Sequence, residues 1–214
     1  MIRLLIVFLA SCWTLSGHAE ENMLKVKITP SLGKVVVRHG NSVVAISRSQ
    51  ESTSKINPVY ARTSRDCPPY CVQPITLAAG VETIGELEML DYLKRITDGD
   101  DTVIVIDSRT PEWLKEGTIP GSINIPYSRL SPAAGADPFE IADLLETTFG
   151  AIEQEGLWNF SKARTLVLFC NGMWCGQSPT TVKTLLDFGY PADRIKWYRG
   201  GIQAWETLGL TVVR

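Results

Sequence analysis

The stretch CNGMWCGQSP, Cys170 to Pro179, places two thiols in one short segment with four residues between them. An apolar run, Thr165 to Phe169 (TLVLF), leads into the first thiol. A helical pattern from Pro179 to Phe188 follows the second, with Val182, Leu185 and Leu186 expected inward. Cysteine attacks sulfur and carbon as the thiolate. Between a strand end and a helix start, a thiol meets unpaired backbone N–H groups and the positive end of the helix dipole, and both favour that anion. Ser178 suits the N-cap of the helix and Pro179 its first position. Gly172 and Gly176 let the backbone curl, so that successive amides can form a nest for a persulfide, a sulfur oxyanion or a phosphate.

Such a loop needs strands and helices to hold it. Thr102 to Ile106 (TVIVI) is a continuous β-branched run, the pattern of a strand buried on both faces. Ile123–Ile125 and Arg194–Tyr198 add shorter strand candidates. Thr83 precedes a helical pattern in which Ile84, Leu87, Leu90 and Leu93 recur at helical spacing, ended by Asp98-Gly99-Asp100. Pro138–Phe149 and Ile202–Leu208 are further helices. Strands alternating with helices predict a parallel α/β sheet with right-handed crossovers and a site at the carboxyl ends of its strands. Upstream, Leu24–Thr29 alternates, and valine-rich runs at Lys34–Arg38 and Ser42–Ser47 flank Gly40-Asn41, a hairpin signal. A few antiparallel strands are therefore expected there, with Lys25 and Lys27 on an exposed face. Residues 49–66 are polar and aperiodic, the pattern of a linker or loop. The two prolines of Cys67–Cys71 (CPPYC) exclude a helix interior.

The chain has 214 residues, enough for one domain with an appendage or two small domains, and 44% hydrophobic against 21% charged residues is globular composition. A net charge of −2 argues against a nucleic-acid or anionic-membrane partner. Arg3, the apolar stretch Leu4–Leu15 and the small residues Gly17-His18-Ala19 predict a signal peptide over residues 1–19, cut after Ala19, and hence a periplasmic protein. Leu9-Ala10-Ser11-Cys12 also resembles a bacterial lipoprotein box, and membrane attachment is expected only if Cys12 is lipidated. Beyond the export segment lie Cys67, Cys71, Cys170 and Cys175, two close pairs that suit two local bridges or two reactive dithiols in an oxidising compartment. Cys67 and Cys71 are most simply a structural bridge. A shared zinc site is disfavoured by the spacing. His39, beside the hairpin turn, is expected to be exposed and cannot by itself make a histidine-rich metal site. No metal and no organic cofactor is expected. Trp197 and Trp205 suit the core, and Trp174 a pocket wall.

Residues 80–214 resemble a rhodanese domain, the sulfurtransferase fold. The resemblance rests on VIVIDSRTPEWLKEGTIPGSINIP (103–126), on LVLFC (166–170) and on WYRGGIQAW (197–205). It implies a central parallel sheet flanked by helices, with residues 20–79 left as a β-hairpin extension and cysteine-containing linker. It also implies that Cys170 is the nucleophile. The loop of Asn171, Gly172, Met173, Trp174, Gly176, Gln177 and Ser178 would cradle bound sulfur, and Asp107 and Arg109 would support the pocket from a neighbouring strand end. The implied reaction is transfer of sulfane sulfur, from thiosulfate or another small donor, through a Cys170 persulfide to a thiol acceptor. This sequence departs from the family pattern in several ways. Cys170–Ser178 contains no basic residue, which removes a charge-assisted partner for thiosulfate and excludes a phosphatase. The loop is longer than the usual sulfurtransferase form. Thr118 stands where histidine is frequent. Cys175 lies inside the loop, where it could resolve a persulfide or sulfenic acid on Cys170. Two alternatives to the sulfurtransferase follow: a thiol–disulfide or persulfide relay through Cys170 and Cys175 with a partner redox protein, and a non-catalytic rhodanese-like binding module.

Overall fold

The computed structural model describes residues 24–214, so the export segment 1–19 and Cys12 lie outside the described residues. The valine-rich runs pair as antiparallel strands β1 (Lys34–His39) and β2 (Ser42–Ser47), and Gly40 takes the positive φ of 55° that the tight turn requires. Leu24–Thr29 forms no strand, contrary to its alternation. Instead the side chain of Gln50 accepts from the amides of Lys25 and Val26, and the backbone turns back at Thr29 and Leu32. Lys25 and Lys27 therefore belong to no strand face. The stretch 49–66 is loop except for one turn of helix. Asn57 accepts from the Val59 amide at 3.1 Å and caps a one-turn helix, α1 (Pro58–Ala61), which delivers Tyr60 fully buried. A single turn shows no periodicity, so its sequence gives no helical signal.

The expected first helix is displaced. Thr83 and Ile84 belong to strand β3 (Glu82–Ile84), and α2 (Glu86–Thr97) begins after Gly85, whose amide donates to Glu88 at 3.0 Å. Its inward face is Met89, Leu90 and Leu93, whereas Leu87 is 51% exposed. Then follow β4 (Val103–Asp107), buried at every position, the short α3 (Pro111–Leu114) and β5 (Ile123–Asn124). The expected helix over Pro138–Phe149 is α4 (Pro138–Asp143), which widens into a π-helical turn at Leu144–Thr148. A second hairpin, β6 (Ile152–Gln154) and β7 (Leu157–Asn159), was not expected. Its strands are too short to show alternation, and its turn at Glu155-Gly156 carries positive φ at both residues. The chain ends with β8 (Thr165–Phe169), α5 (Gln177–Asp187), β9 (Ile195–Tyr198) and α6 (Gly201–Thr207).

The central sheet has the order β3-β9-β8-β4-β5 and every pairing is parallel. Alternation then assigns each strand's side chains to two layers. Ile104, Ile106, Leu166, Leu168 and Trp197 face one core, with Leu144, Phe149 and Leu185. Val103, Val105, Val167, Phe169 and Tyr198 face the other, together with Leu90, Leu93 and Trp205. That second core also takes in Val35, Val37, Ile46 and Tyr60. The N-terminal hairpin is thus packed into the same interior as the sheet. A clasp joins it to the end of the chain: Arg48 bridges Leu210, the Ser49 amide donates to the Gly209 carbonyl at 2.7 Å, and the Thr211 amide to Ser47 at 3.1 Å.

Candidate active site

Cys170 follows directly on β8, at the carboxyl end of a central strand. The loop after it is held from below by the start of α6. The amides of Ile202 and Gln203 donate to the carbonyls of Cys170 (3.1 Å) and Asn171 (2.9 Å). This approach requires glycine at position 201: its φ is +56°, and a Cβ there would lie 2.3 Å from the Cys170 carbonyl oxygen. The Gly-Gly of WYRGGIQAW therefore sets the floor of the loop.

The expected cap is a correction. α5 begins at Gln177 with Gly176 at its N-cap, and Ser178 is fully buried inside the first turn. Its hydroxyl donates to Cys170 Sγ at 3.1 Å instead of capping the helix. Trp197 Nε1 donates to Ser178 Oγ at 3.1 Å. An indole N–H cannot accept, so the Ser178 oxygen accepts there and turns its own proton to the thiol. Trp197 is a core residue, as expected, and also orients this hydroxyl.

Cys67 and Cys71 are disulfide-bonded, whereas Cys170 and Cys175 are free and buried. Burial pushes the Cys170 thiol up, but hydrogen bonds from the Cys175 thiol, the Ser178 hydroxyl and the backbone amides of Ser178 and Gly172 outweigh it and leave Cys170 below the usual thiol range. Cys175 goes the other way: burial, its hydrogen bond to Cys170 and the neighbouring negative charge hold it well up as a neutral thiol. Cys170 is thus shifted toward the thiolate and Cys175 toward the neutral thiol, whose Sγ also donates to Gln177 Oε1 at 3.8 Å. In its protonated form Cys170 can instead donate to the Cys175 carbonyl, 3.4 Å away.

Asp107 and Arg109 form a salt bridge at 2.6 Å with both side chains fully buried. Arg109 also donates to Tyr60 Oη (2.8 Å), to the Gly117 carbonyl (2.7 Å) and to Asn171 Oδ1 (3.4 Å). Thr118 donates to Asp107 at 2.7 Å. The pair braces the loop through Asn171 and presents no charge to solvent. His39, expected to be exposed, is half-buried and accepts from the Gly121 amide at 3.2 Å.

The segment 60–74 lies across the loop. Tyr70 packs edge-on to Trp174 with ring centres 5.5 Å apart, the Gln73 amide donates to the Met173 carbonyl at 2.8 Å, and the Arg65 guanidinium lies 3.7 Å from the Trp174 ring centre. Trp174 Nε1 donates to Gln203 at 2.8 Å, and Gln203 in turn donates to the Tyr60 carbonyl at 2.7 Å. A cavity of about 310 Å³ remains beside the loop. Asn171, Cys175, Gly176 and Gln177 form its inner side, and Tyr70, Trp113 and Tyr127 stand opposite. Of the expected site residues, Cys170, Gly172 and Ser178 lie beneath this surface. Met173 is exposed, Trp174 is covered by the segment 60–74, and Asp107 and Arg109 lie behind the loop. Tyr60, Tyr70, Trp113, Tyr127 and Trp197 were not foreseen at the site; nothing in their spacing marks them. A larger cleft of about 600 Å³ between Ser49–Pro58 and Glu206–Arg214 contains neither free thiol. Among the described residues, no group of His, Cys, Asp and Glu is placed to hold a metal ion.

A family model of the rhodanese-like domain matches residues 89–208, more than half of the chain. An HTH-type transcriptional regulator of Mycobacterium tuberculosis is 29% identical over 122 residues, which cover 57% of this chain and 42% of the regulator. The chain thus spans less than half the length of that relative. Among solved structures, the human single-domain sulfurtransferase is 23% identical and matches 59% of this chain and 96% of its own, with a TM-score of 0.38. A single-domain sulfurtransferase of Saccharomyces cerevisiae is 19% identical over 63% of this chain and 94% of its own, with a TM-score of 0.41. A possible tyrosine phosphatase from Rhodopseudomonas palustris is 20% identical over 64% and 88%, with a TM-score of 0.39.

Proposed function

The chain belongs to the rhodanese-like domain family, and from that premise we propose that it is a sulfurtransferase of the cell envelope that carries sulfane sulfur as a persulfide on Cys170. The observation that carries this reading is the set of donors around Cys170 Sγ: one hydroxyl, two backbone amides and a second thiol, all favouring the thiolate. In the reaction, the thiolate attacks the outer sulfur of a donor. A Cys170 S–S bond forms, the bond within the donor breaks, and the donor's remaining sulfur leaves with the electron pair. An acceptor thiolate then attacks the terminal sulfur and regenerates Cys170. The same amides that favour the thiolate suit the persulfide anion. The Cys67–Cys71 bridge supports placement in an oxidising compartment.

A second reading has its own observation, two free and buried thiols in one loop, with Cys170 Sγ 3.4 Å from the Cys175 carbonyl oxygen. If Cys175 attacks the inner sulfur of a Cys170 persulfide, hydrosulfide leaves and a Cys170–Cys175 disulfide remains, which a partner dithiol must reduce before another turnover. Peptide mass spectrometry of alkylation-trapped protein, before and after exposure to sulfane donors, separates the readings. The transferase gains one sulfur atom on Cys170 and loses it to added thiol. The relay ends as the disulfide with release of hydrosulfide. A Cys170–Cys175 disulfide that resists reductant and takes up no sulfur would leave a non-catalytic module.

A further inference from the structure

The two free thiols are unequal in their access to ligand. Both are buried, Cys170 2% and Cys175 3% exposed, but Cys175 borders the 310 Å³ cavity and Cys170 does not. The opposite wall is aromatic, formed by Tyr70, Trp113 and Tyr127, and no charged side chain lines the space. Neither nearby arginine lines the space: Arg109 is held by Asp107, Tyr60 and Gly117, and Arg65 lies on Trp174 and donates through Nη2 to the Val59 carbonyl, with its Nε unpaired. The amides of Gly172 and Ser178 are directed at Cys170. A sulfur oxyanion in this cavity would lose hydration with no charged side chain in the lining to contact it. An apolar or aromatic group would instead bury its surface against the rings.

Resting on the reading of Cys170 as the sulfur carrier, we propose that the cavity binds organic persulfides, R–S–SH with an apolar or aromatic R, and that Cys175 is the receiving thiol that passes the sulfur inward to Cys170. The steps balance without an external oxidant or reductant. The Cys170 thiolate takes the proton of Cys175. The Cys175 thiolate attacks the outer sulfur of R–S–SH, an S–S bond to Cys175 forms, and R–S⁻ leaves with the electron pair of the broken bond. R–S⁻ takes the proton from Cys170 and departs as R–SH. The Cys170 thiolate then attacks the outer sulfur of the Cys175 persulfide. Cys175 leaves, recovers the persulfide proton, and is again a neutral thiol, while Cys170 holds the persulfide anion among its donors. The low position of Cys170 and the high position of Cys175 match these resting states.

The test uses the purified full protein, benzyl persulfide and thiosulfate as alternative donors, rapid alkylation and peptide mass spectrometry. The wild type should load Cys170 from benzyl persulfide at least about tenfold faster than from thiosulfate. Cys175→Ser should slow loading of Cys170 by at least about tenfold, and Cys170→Ser should gain one sulfur atom on Cys175 at alkaline pH. Loading of Cys175→Ser at the wild-type rate, or equal use of the two donors, would overturn the proposal and leave Cys170 as a carrier. A Cys170→Ser protein that never gains sulfur on Cys175 would overturn it as well. Absence of sulfur on wild-type Cys170 with either donor would instead sink the sulfurtransferase reading, and this proposal with it.

Discussion

Two clusters of buried polar groups stand side by side at the ends of β4 and β8. Behind β4, every side-chain oxygen and nitrogen of Asp107 and Arg109 has a partner, and the pair is closed off from solvent. After β8, the two free thiols have mainly weak sulfur contacts, at 3.1 to 3.8 Å, and one of them borders a cavity. A saturated buried network rigidifies its surroundings and has nothing left to offer a ligand. A thiolate held by a few weak donors is available as a nucleophile, though each donor it accepts from tempers its reactivity. The neighbouring clusters therefore divide the work: one holds the loop through Asn171, and the other is left able to exchange bonds.

Substitutions can break this division from either side. Asp107→Asn should have the largest effect on stability, about 3–5 kcal/mol, because it leaves Arg109 buried without its counter-charge; chemical denaturation measures it, and a loss below about 1 kcal/mol would show that the network is not a brace. Cys170→Ser should do the reverse, eliminating sulfur uptake on the carrier position while changing stability by about 1 kcal/mol or less. Ser178→Ala comes next. Cys170 lies below the ordinary thiol range of about 8.5, so its alkylation rate should saturate at correspondingly low pH. Removing a donor to the thiolate favours the protonated form, so the midpoint should rise by about one unit. Tyr60→Phe removes the hydroxyl that accepts from Arg109 and should cost about 1–2 kcal/mol while leaving the Cys170 midpoint in place. Trp197→Phe should have the smallest effect, a rise of a few tenths of a unit in that midpoint, because it frees the Ser178 hydroxyl to rotate without removing it.

The parts of this arrangement that follow from short-range pattern were legible in the sequence. A β-branched run ending in cysteine, followed by a helical pattern, located Cys170 at a strand end, and the parallel sheet followed from the alternation of such runs with helices. Ser178 shows where local rules reach their limit. Ser-Pro before an apolar period is a strong capping signal, but a thiol eight residues upstream competes for the hydroxyl and wins. Tyr60 and Tyr70 were illegible for a different reason. They reach the site from a stretch with no period, and their partners Arg109 and Trp174 lie 49 residues and more than a hundred residues away in the chain. Which of the two thiols borders the cavity depends on that same long-range packing.

The clasp between Ser47–Ser49 and Gly209–Thr211 bears on how this protein can be cut and joined. A shortened version starting at residue 80 would keep every family motif. It would nevertheless leave the Gly209 carbonyl and the Thr211 amide unpaired and open the second core, to which Val35, Val37 and Ile46 belong. Because the tail lies against the hairpin and its Val213 pairs with Thr118, whatever peels away the last residues loosens the first strands on one side and, on the other, the turn that donates to Asp107.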